Sequence, residues 1–248
     1  MKTTRRADKY LADLGFGTRS EVRRLIRSGS VTTGDGQPVT DPAQQIPAGD
    51  FFLAVDGIPC PYVPFEYYML NKPAGVLSAS RDHSRTTVVD LIDTAKRHDL
   101  FPVGRLDADT TGLLLITNDG ALAHRLLSPR WKVSKCYEAS IRGSVSEAML
   151  RAFREGVREA SGEQFAPAVL TPLTADEESS TSLVHVVLTE GRYHEVKRMF
   201  AACGSEVLTL KRLSMGPLVL DPALPEGSFR ALTEQEISAL KLSGKDLE

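Results

Sequence analysis

The sequence predicts an α+β protein with two domains. Helical and strand patterns follow one another without regular βαβ alternation, and the connections between strands have lengths typical of antiparallel neighbours. A stretch with Pro59, Pro61 and Pro64 resists helix and central strand and suits a linker. We predict a small domain over residues 1–58, a linker over 59–66, a larger domain over 67–240 and a polar tail over 241–248. The larger domain is expected to carry a mixed, mainly antiparallel β-sheet with flanking helices.

Composition supports a globular chain with an ordinary core. The 248 residues are 42% hydrophobic and 25% charged. No apolar stretch approaches the ~20 residues that cross a bilayer, and no apolar segment follows the charged N-terminus, so we expect a cytoplasmic protein without membrane contact. Cys60, Cys136 and Cys203 lie far apart without CxxC spacing, which argues against a disulfide framework and against a zinc site.

Positive charge is concentrated at the front of the chain. The whole sequence has a formal charge of −2, whereas residues 1–30 contain eight basic and three acidic side chains. Basic clusters neutralise phosphate, so this distribution indicates that a polyanion is contacted at one end of the protein. Simple solubility is the alternative.

Two helices begin the small domain. Helical spacing covers residues 6–14 and ends at the glycines of 15–17. Thr18 and Glu21 have capping-box spacing for a second helix, and Gly29 is its expected end. Its apolar face holds Val22, Leu25 and Ile26, and its basic face holds Arg19, Arg23 and Arg27.

Short strands complete the small domain. Two strands are expected around the turn at 34–36, within residues 30–39, and a third over 49–56. This arrangement resembles the S4 (αL-type) RNA-binding module over residues 5–57, on a signature formed by Arg6, Asp8, Lys9, Tyr10, Leu11 and Ala12. The resemblance implies RNA contact through the basic side chains Arg6, Lys9, Arg19, Arg23 and Arg27.

The larger domain alternates strands and helices. Strand patterns cover residues 67–71, 113–117, 133–141, 183–189 and 206–213. Helix patterns cover 88–96, a segment capped by Asn118 or Asp119 through Leu127, a segment from the capping box Ser144/Glu147 to near Gly156, and a segment after Gly191 to Cys203. In the last helix Val196, Met199, Phe200 and Cys203 form the expected inward stripe.

One polar loop stands between apolar segments. Asp107 and Asp109 lie between Gly104 and Gly112, whose backbone freedom suits a sharp excursion. A lone DxD is typical of a surface turn or of a divalent-metal clamp. The sequence from His194 begins like HExxH but has Arg198 at the second histidine position, which excludes a zinc protease helix. No P-loop, GxGxxG or GxSxG occurs, so the usual nucleotide cofactors and a serine triad are excluded.

A basic domain combined with a framed aspartate favours a nucleophilic carboxylate that acts on nucleic acid. The run over residues 103–120 resembles the motif of the RsuA-type ribosomal RNA pseudouridine synthases. Segments 69–73, 135–137 and 190–199 match that family in the expected order. The resemblance spans essentially the whole chain.

The resemblance implies a role for each site residue. Asp107 is implied as the nucleophile, by attack on C1′, addition to C6 or support for abstraction of a sugar proton, with no cofactor and no metal. Lys197 matches the basic partner that keeps this carboxylate anionic. Tyr137 matches a tyrosine that lies against the extruded base, and Arg105 a residue that fills the gap left by the flipped nucleotide.

Three residues of the motifs have expected supporting roles. Lys72 and Arg198 are expected in RNA phosphate contact or in structure rather than in chemistry. Asp109 is expected to brace the loop by hydrogen bonds to nearby amides.

Three functions remain open: a pseudouridine synthase, a non-catalytic S4-type RNA-binding or ribosome-assembly factor, and a metal-dependent DxD transferase. Residues 193–194 and 199–202 look closer to the small-subunit branch of the family. This favours 16S RNA, at uridine 516 in conventional rRNA numbering, within an assembly intermediate. A 23S enzyme of the same family is the alternative. Separately, we expect the protein to be a monomer.

Overall fold

The computed structural model describes residues 4–47, 52–93, 98–176, 178 and 180–243. The chain divides into two compact units. Unit 1 is Met1–Glu66 with Asp93–Leu100, and unit 2 is Tyr67–Ile92 with Phe101–Glu248. Within the described ranges no helix has both the length and the apolar character to span a bilayer.

Unit 1 packs two helices against short strands. In chain order the elements are β1 (Thr4–Arg6), α1 (Ala7–Asp13), α2 (Arg19–Arg27), β2 (Val31–Thr33), β3 (Gln45–Pro47), β4 (Leu53–Val55) and β5 (Ile58–Cys60). The predicted capping box forms, because the Thr18 side chain accepts from the Glu21 amide and the Glu21 carboxylate accepts from the Thr18 amide. The apolar faces of both helices meet in one core that includes Tyr10, Leu11, Val22 and Ile26.

The strands of unit 1 differ in part from the prediction. β3 pairs with β1 and was not predicted. The expected second strand of the 30–39 hairpin is reduced to a bridge between Thr32 and Pro38, because proline has no amide to donate. The predicted strand over 49–56 is present as β4, and its residues 49–51 lie outside the described residues. β5 pairs with β4, so Pro59 and Cys60 of the predicted linker form an edge strand.

Unit 2 is built on one large sheet. Its strands are β6 (Tyr67–Lys72), β7 (Phe101–Pro102), β8 (Thr111–Thr117), β9 (Lys135–Arg142), β10 (Val169–Asp176), β11 (Thr181–Leu188), β12 (Val207–Met215), β13 (Leu218–Val219) and β14 (Phe229–Ala231). Its helices are α3 (Gly120–Leu127), a 3₁₀ turn at Pro129–Trp131, α4 (Glu147–Glu155), α5 (Glu195–Ala202) and α6 (Glu234–Leu242).

The sheet order is β10-β11-β9-β12-β8-β6-β14, with β13 beside β12 and β7 beside β8. Among the described strands every neighbouring pair is antiparallel except β12 with β8. The predicted mixed, mainly antiparallel sheet is therefore confirmed. An α+β architecture follows from it, with helices beside a continuous sheet.

The parallel contact at the centre of the sheet depends on a glycine. Gly112 pairs with Arg212 and has φ +95°. A Cβ atom at Gly112 would lie 2.3 Å from the carbonyl oxygen of Arg212, a distance that no side chain tolerates. Arg212 is itself buried and its Nε donates to the Leu113 carbonyl at 2.8 Å. β8 and β12 can approach here only because residue 112 lacks a side chain.

Three predictions for unit 2 need correction. The helix expected over 88–96 is wrong for 88–93, which form turns, and 94–96 lie outside the described residues. The N-cap of α4 is Ser146 rather than Ser144, because its hydroxyl accepts from the Met149 amide at 3.2 Å. β10 was not predicted, since its inner and outer faces are not marked by alternation: seven of its eight residues are exposed.

At the C-terminal end α6 runs through Leu242, so residues 241 and 242 of the predicted tail are helical. The Thr233 hydroxyl and the Glu236 carboxylate form a capping box at its start. Residues 244–248 of that tail lie outside the described residues.

Candidate active site

The loop that carries Asp107 is held by hydrogen bonds from several directions. The Thr110 amide donates to the Asp107 carbonyl at 3.1 Å, and the Gly75 amide donates to the Ala108 carbonyl at 2.7 Å. The Ser78 hydroxyl donates to the Leu106 carbonyl at 2.8 Å and accepts from the Leu106 amide at 3.1 Å. The backbone of the loop is therefore fixed on both sides of the aspartate.

The Lys72 side chain also holds the loop that carries Asp107, by donating to its carbonyl oxygens. Its Nζ donates to the carbonyl oxygens of Pro73, Ala108 and Thr110 at 2.9, 3.1 and 2.9 Å. The side chain is fully buried, and burial lowers the pKa of Lys72 to about 8 against the opposing pull of Asp109 and Asp107. An ammonium without exposed surface cannot reach a phosphate. This burial argues against the RNA contact predicted for Lys72 and favours the structural alternative.

Helix α5 brings Lys197 to the loop. Val196, Met199 and Phe200 are buried, as predicted for the inward stripe, whereas Cys203 is half-buried at the helix end. The Lys197 Nζ lies 3.1 Å from Oδ2 of Asp107 and 2.6 Å from Oδ1 of Asp109.

The charges of this group depend on one another. Burial lowers the pKa of Lys197, but the hydrogen bonds with Asp109 and Asp107 outweigh it, so that the pKa is raised overall. The bond from Lys197 in turn lowers the pKa of Asp109, against some desolvation. The main partner of the Asp109 carboxylate is thus this ammonium, not the loop amides that were expected.

His194 is a neighbour of Asp107 to which sequence reasoning gave no role. Its Nε2 lies 3.3 Å from Oδ1 of Asp107, so the two carboxylate oxygens face different basic groups. His194 caps the start of α5 with φ +49°, in the left-handed region. The sequence did contain one indication of this role, because His194 lies one residue before the helix that carries Lys197. The resemblance of this segment to HExxH concerned only metal binding.

These groups open into one pocket. Asp107, Lys197 and His194 line it together with Arg105 and Tyr137, which is mostly buried on β9. The Thr110 hydroxyl lies at the same wall, buried and without a hydrogen-bond partner among the described residues. The three predicted catalytic residues therefore share a single pocket although they come from a loop, a strand and a helix.

Arg198 lies outside this group. Its Nε donates to Oε1 of Glu159 at 2.8 Å, and its Nη2 contacts Glu159 at 2.6 Å and also Glu163. Its guanidinium stacks over the Phe165 ring, 4.8 Å from the centroid. These contacts favour the structural role predicted for Arg198 over phosphate contact, since two carboxylates already neutralise its charge.

The basic side chains of unit 1 fall into two sets. Arg6 and Arg23 bind the fully buried Asp8 at 2.8 and 3.1 Å, and each remains partly exposed. The hydrogen bond from Arg6, opposed by burial, makes the largest contribution to a pKa of Asp8 far below its usual range. Lys9, Arg19 and Arg27 are exposed. RNA contact by this face stays a prediction.

Within the described ranges no group of three or more His, Cys, Asp or Glu side chains is placed to hold a metal ion. The arrangement instead offers an anchored carboxylate with basic neighbours on both oxygens, next to an aromatic ring in an open pocket. Such a site suits nucleophilic or acid–base work on a planar substrate.

Comparison with known proteins agrees with this arrangement. A family model described as RNA pseudouridylate synthase matches residues 66–202, and a model described as S4 domain matches residues 5–52. The predicted S4 module is thereby confirmed. A crystal structure of a pseudouridylate synthase matches with a TM-score of 0.65 and 35% identity, over 95% of this chain and 99% of that one.

Three curated bacterial proteins match 95% of the chain. An uncharacterized RNA pseudouridine synthase of Bacillus subtilis is 44% identical and covered to 98%. The ribosomal small subunit pseudouridine synthase A of Escherichia coli is 38% identical, and the match covers 99% of that protein. The ribosomal large subunit pseudouridine synthase B of Bacillus subtilis is 35% identical, and the match covers 95% of that protein. With its S4 domain, its sheet and its matched length, the chain belongs to the RNA pseudouridine synthase family of enzymes.

Proposed function

We propose that this enzyme converts a uridine of ribosomal RNA to pseudouridine with Asp107 as its nucleophile. The observation that supports this most directly is the setting of the Asp107 carboxylate, held by Lys197 and His194 at the mouth of the pocket that Tyr137 lines. A uridine within a folded RNA must leave its stack to reach such a pocket.

The isomerisation needs only groups that this pocket supplies. The N1–C1′ bond breaks, the uracil turns in place, a C5–C1′ bond forms, the C5 proton leaves and N1 takes up a proton. No redox partner or group donor enters the balance. Asp107 acts by attack on C1′, by addition to C6 or by supporting removal of a sugar proton. In each case the Lys197 ammonium, 3.1 Å from Oδ2 of Asp107, places a positive charge beside the carboxylate.

Tyr137 and Arg105 have proposed parts in binding the flipped nucleotide. The mostly buried Tyr137 presents its ring to the uracil, and the exposed Arg105 occupies the space that the nucleotide vacates. The exposed Lys9, Arg19 and Arg27, with the partly exposed Arg6 and Arg23, are proposed to hold RNA phosphates at the S4 domain.

The proposed RNA is 16S rRNA, within a cytoplasmic assembly intermediate, and the proposed acting form is a monomer. The two relatives with named substrates divide between the small and large subunits, at similar identity. We favour 16S on the sequence around α5: Tyr193-His194 just before the helix and residues 199–202 in its last turn. The two are separated by mapping the modified uridines in rRNA from a strain without this protein. We expect one 16S position to remain an unmodified uridine in that strain. An unmodified 23S position instead would overturn the assignment.

The activity itself is tested by release of tritium from ribosomal RNA labelled with 5-[³H]uridine, in the presence of EDTA. We expect release by the wild-type protein and none by Asp107→Asn, with RNA binding kept. A silent RNA-binding protein would release nothing, and a metal-dependent transferase would lose its activity to EDTA. Release by Asp107→Asn at the wild-type rate would refute the nucleophile.

A further inference from the structure

The aromatic ring of Tyr193 is held in place although most of it faces solvent. Tyr193 is 76% exposed, more than any other large hydrophobic side chain of the described residues. Its ring stacks on the imidazole of His194 with the centroids 3.7 Å apart and the planes inclined by 18°. With one face covered by His194 and so large an exposed fraction, the other face of the ring is open.

The Tyr193–His194 ring pair contacts the proposed nucleophile, Asp107, through His194. His194 lies 3.3 Å from Asp107 and lines the pocket, whereas Tyr193 lies on the outer side of His194. The turn that presents the pair is tied at both ends: the Arg192 amide donates to the Glu195 carboxylate at 2.8 Å, and the Arg198 amide donates to the His194 carbonyl at 2.9 Å. Asp107, His194 and Tyr193 thus form one continuous series of contacts from the pocket outward.

We propose that the open face of Tyr193 stacks a nucleobase of the substrate RNA next to the flipped uridine. The spacing of the Tyr193–His194 stack is close to the rise of about 3.4 Å between stacked bases, so a third ring extends it naturally. Single-stranded RNA is commonly recognised by unstacked bases on aromatic side chains. A uridine at Asp107 leaves its strand neighbour just outside the pocket, where Tyr193 lies. This inference rests on the proposed function.

A nucleobase fits this surface better than an apolar protein side chain. Arg105, an exposed cation, lines the pocket that His194 also lines, and Tyr193 stacks on that histidine. An open aromatic face one ring away from a pocket that carries an exposed cation suits a base and its neighbouring phosphate. Tyr193 is then a positioning residue: it holds the strand and takes no part in bond changes.

Replacement of Tyr193 gives a graded expectation. Tyr193→Ala should weaken RNA binding and lower kcat/KM by about 5- to 100-fold, the range for loss of one stacked base, mainly through KM. Tyr193→Phe should remain within about threefold of wild type, because the stack uses the ring and not the hydroxyl. Val219→Ala, at another exposed position of unit 2, serves as the control and should have no effect.

The decisive experiment removes the base instead of the ring. Ribosomal RNA carrying an abasic residue on one or the other side of the modified uridine is assembled by ligation, and its KM is measured with wild type and with Tyr193→Ala. At one of the two positions the abasic residue should raise the KM of the wild type and leave that of Tyr193→Ala unchanged. Equal effects on both proteins at both positions would overturn the proposal.

The result is distinguishable from failure of the proposed function. If Asp107→Asn releases tritium, or if wild type does not, the proposed function fails and Tyr193 is not at issue. If wild type is active and Asp107→Asn is inactive, while Tyr193→Ala has the wild-type KM on intact RNA, only the stacking proposal falls.

Discussion

The ammonium group of Lys197 lies 3.1 Å from one oxygen of the Asp107 carboxylate, and it binds Asp109 at 2.6 Å as well. One cation on helix α5 thus holds two carboxylates of a single loop. Lys197 is 88 residues from Asp109 along the chain. The ion pair therefore links the position of the helix to that of the proposed nucleophile.

Lys197→Met tests this link. The methionine keeps the apolar stem but removes the charge, so Asp107 keeps its contact with His194 and loses the ammonium that lies against its other oxygen. Tritium release should fall by about 100-fold or more, as for the loss of one preorganised charge contact, while RNA affinity changes little. Asp109→Asn is the matched control, since Lys197 keeps its contact with Asp107. Near-normal activity of Lys197→Met would contradict the proposed role.

Lys72→Met tests the support beneath the loop. Three carbonyl oxygens lose their donor in a buried place, which should destabilise unit 2 by about 1–3 kcal/mol and lower activity as the Asp107 loop shifts. Urea unfolding followed by the fluorescence of Trp131 measures the first effect. Lys211→Met, on β12, should do neither. Normal stability together with weaker RNA binding would instead support the phosphate contact that was predicted for Lys72.

Gly112→Ala and Gly104→Ala distinguish a glycine required by a close backbone contact from one at which an added Cβ meets only a side chain. Both positions have positive φ, which costs an L-residue about 1–2 kcal/mol. At Gly112 the added Cβ also meets the Arg212 carbonyl at 2.3 Å, whereas at Gly104 it meets only the mobile end of Leu127 at 2.9 Å. We expect Gly104→Ala to fold with reduced stability and Gly112→Ala to yield little folded protein. Comparable unfolding midpoints would contradict the close approach of β8 and β12.

Arg105→Gln should weaken RNA binding without loss of stability, whereas Arg198→Gln should lower stability without changing the salt dependence of binding. Arg105 is exposed at the pocket, so its loss should weaken RNA binding and reduce the slope of log affinity against log salt by about one unit, with stability unchanged. Arg198 is bound by Glu159 and Glu163, so its loss should lower the thermal unfolding midpoint of unit 2 and leave the salt slope unchanged. Filter binding across a salt series and calorimetry decide between them.

Acid should weaken unit 1 through Asp8. The folded pKa of Asp8 is lowered by Arg6 and Arg23, so its contribution is complete above the unfolded value of about 3.9 and is lost as pH falls through the lower folded pKa. In Asp8→Asn this contribution is absent at every pH. Hydrogen exchange of α1 and α2 peptides, compared between the two proteins at each pH, should show a protection gap at pH 7 that closes in acid. A gap independent of pH would exclude this origin.

Local patterns predicted elements whose cause is local. α2 follows from its capping box and α5 from its apolar stripe, and both were confirmed. The strand pattern over 113–117 marks β8 because its residues are buried on both faces. β3 and β10 escaped prediction because they are short or largely exposed and owe their form to pairing with β1 and β11.

The site was predictable by resemblance, and its geometry was not. No spacing in the sequence states that Lys197 reaches Asp109 as well as Asp107, or that Lys72 turns inward. Both facts arise because β6 and α5 each bring a lysine to the Asp107 loop in three dimensions. His194 is the clearest case: its contact with Asp107 depends on a left-handed backbone at the start of α5, which histidine adopts more often than most residues but still only rarely.

The parallel contact between β8 and β12 can form only late in the synthesis of the chain. Arg212 and Leu113, joined across it, are 99 residues apart, while the core of unit 1 draws on residues 7–60. During translation the RNA-binding end can fold early, whereas the centre of the sheet must wait for β12 to be synthesised. A nascent chain can therefore complete the core of unit 1 before the centre of the large sheet, and with it the setting of the Asp107 loop, is in place.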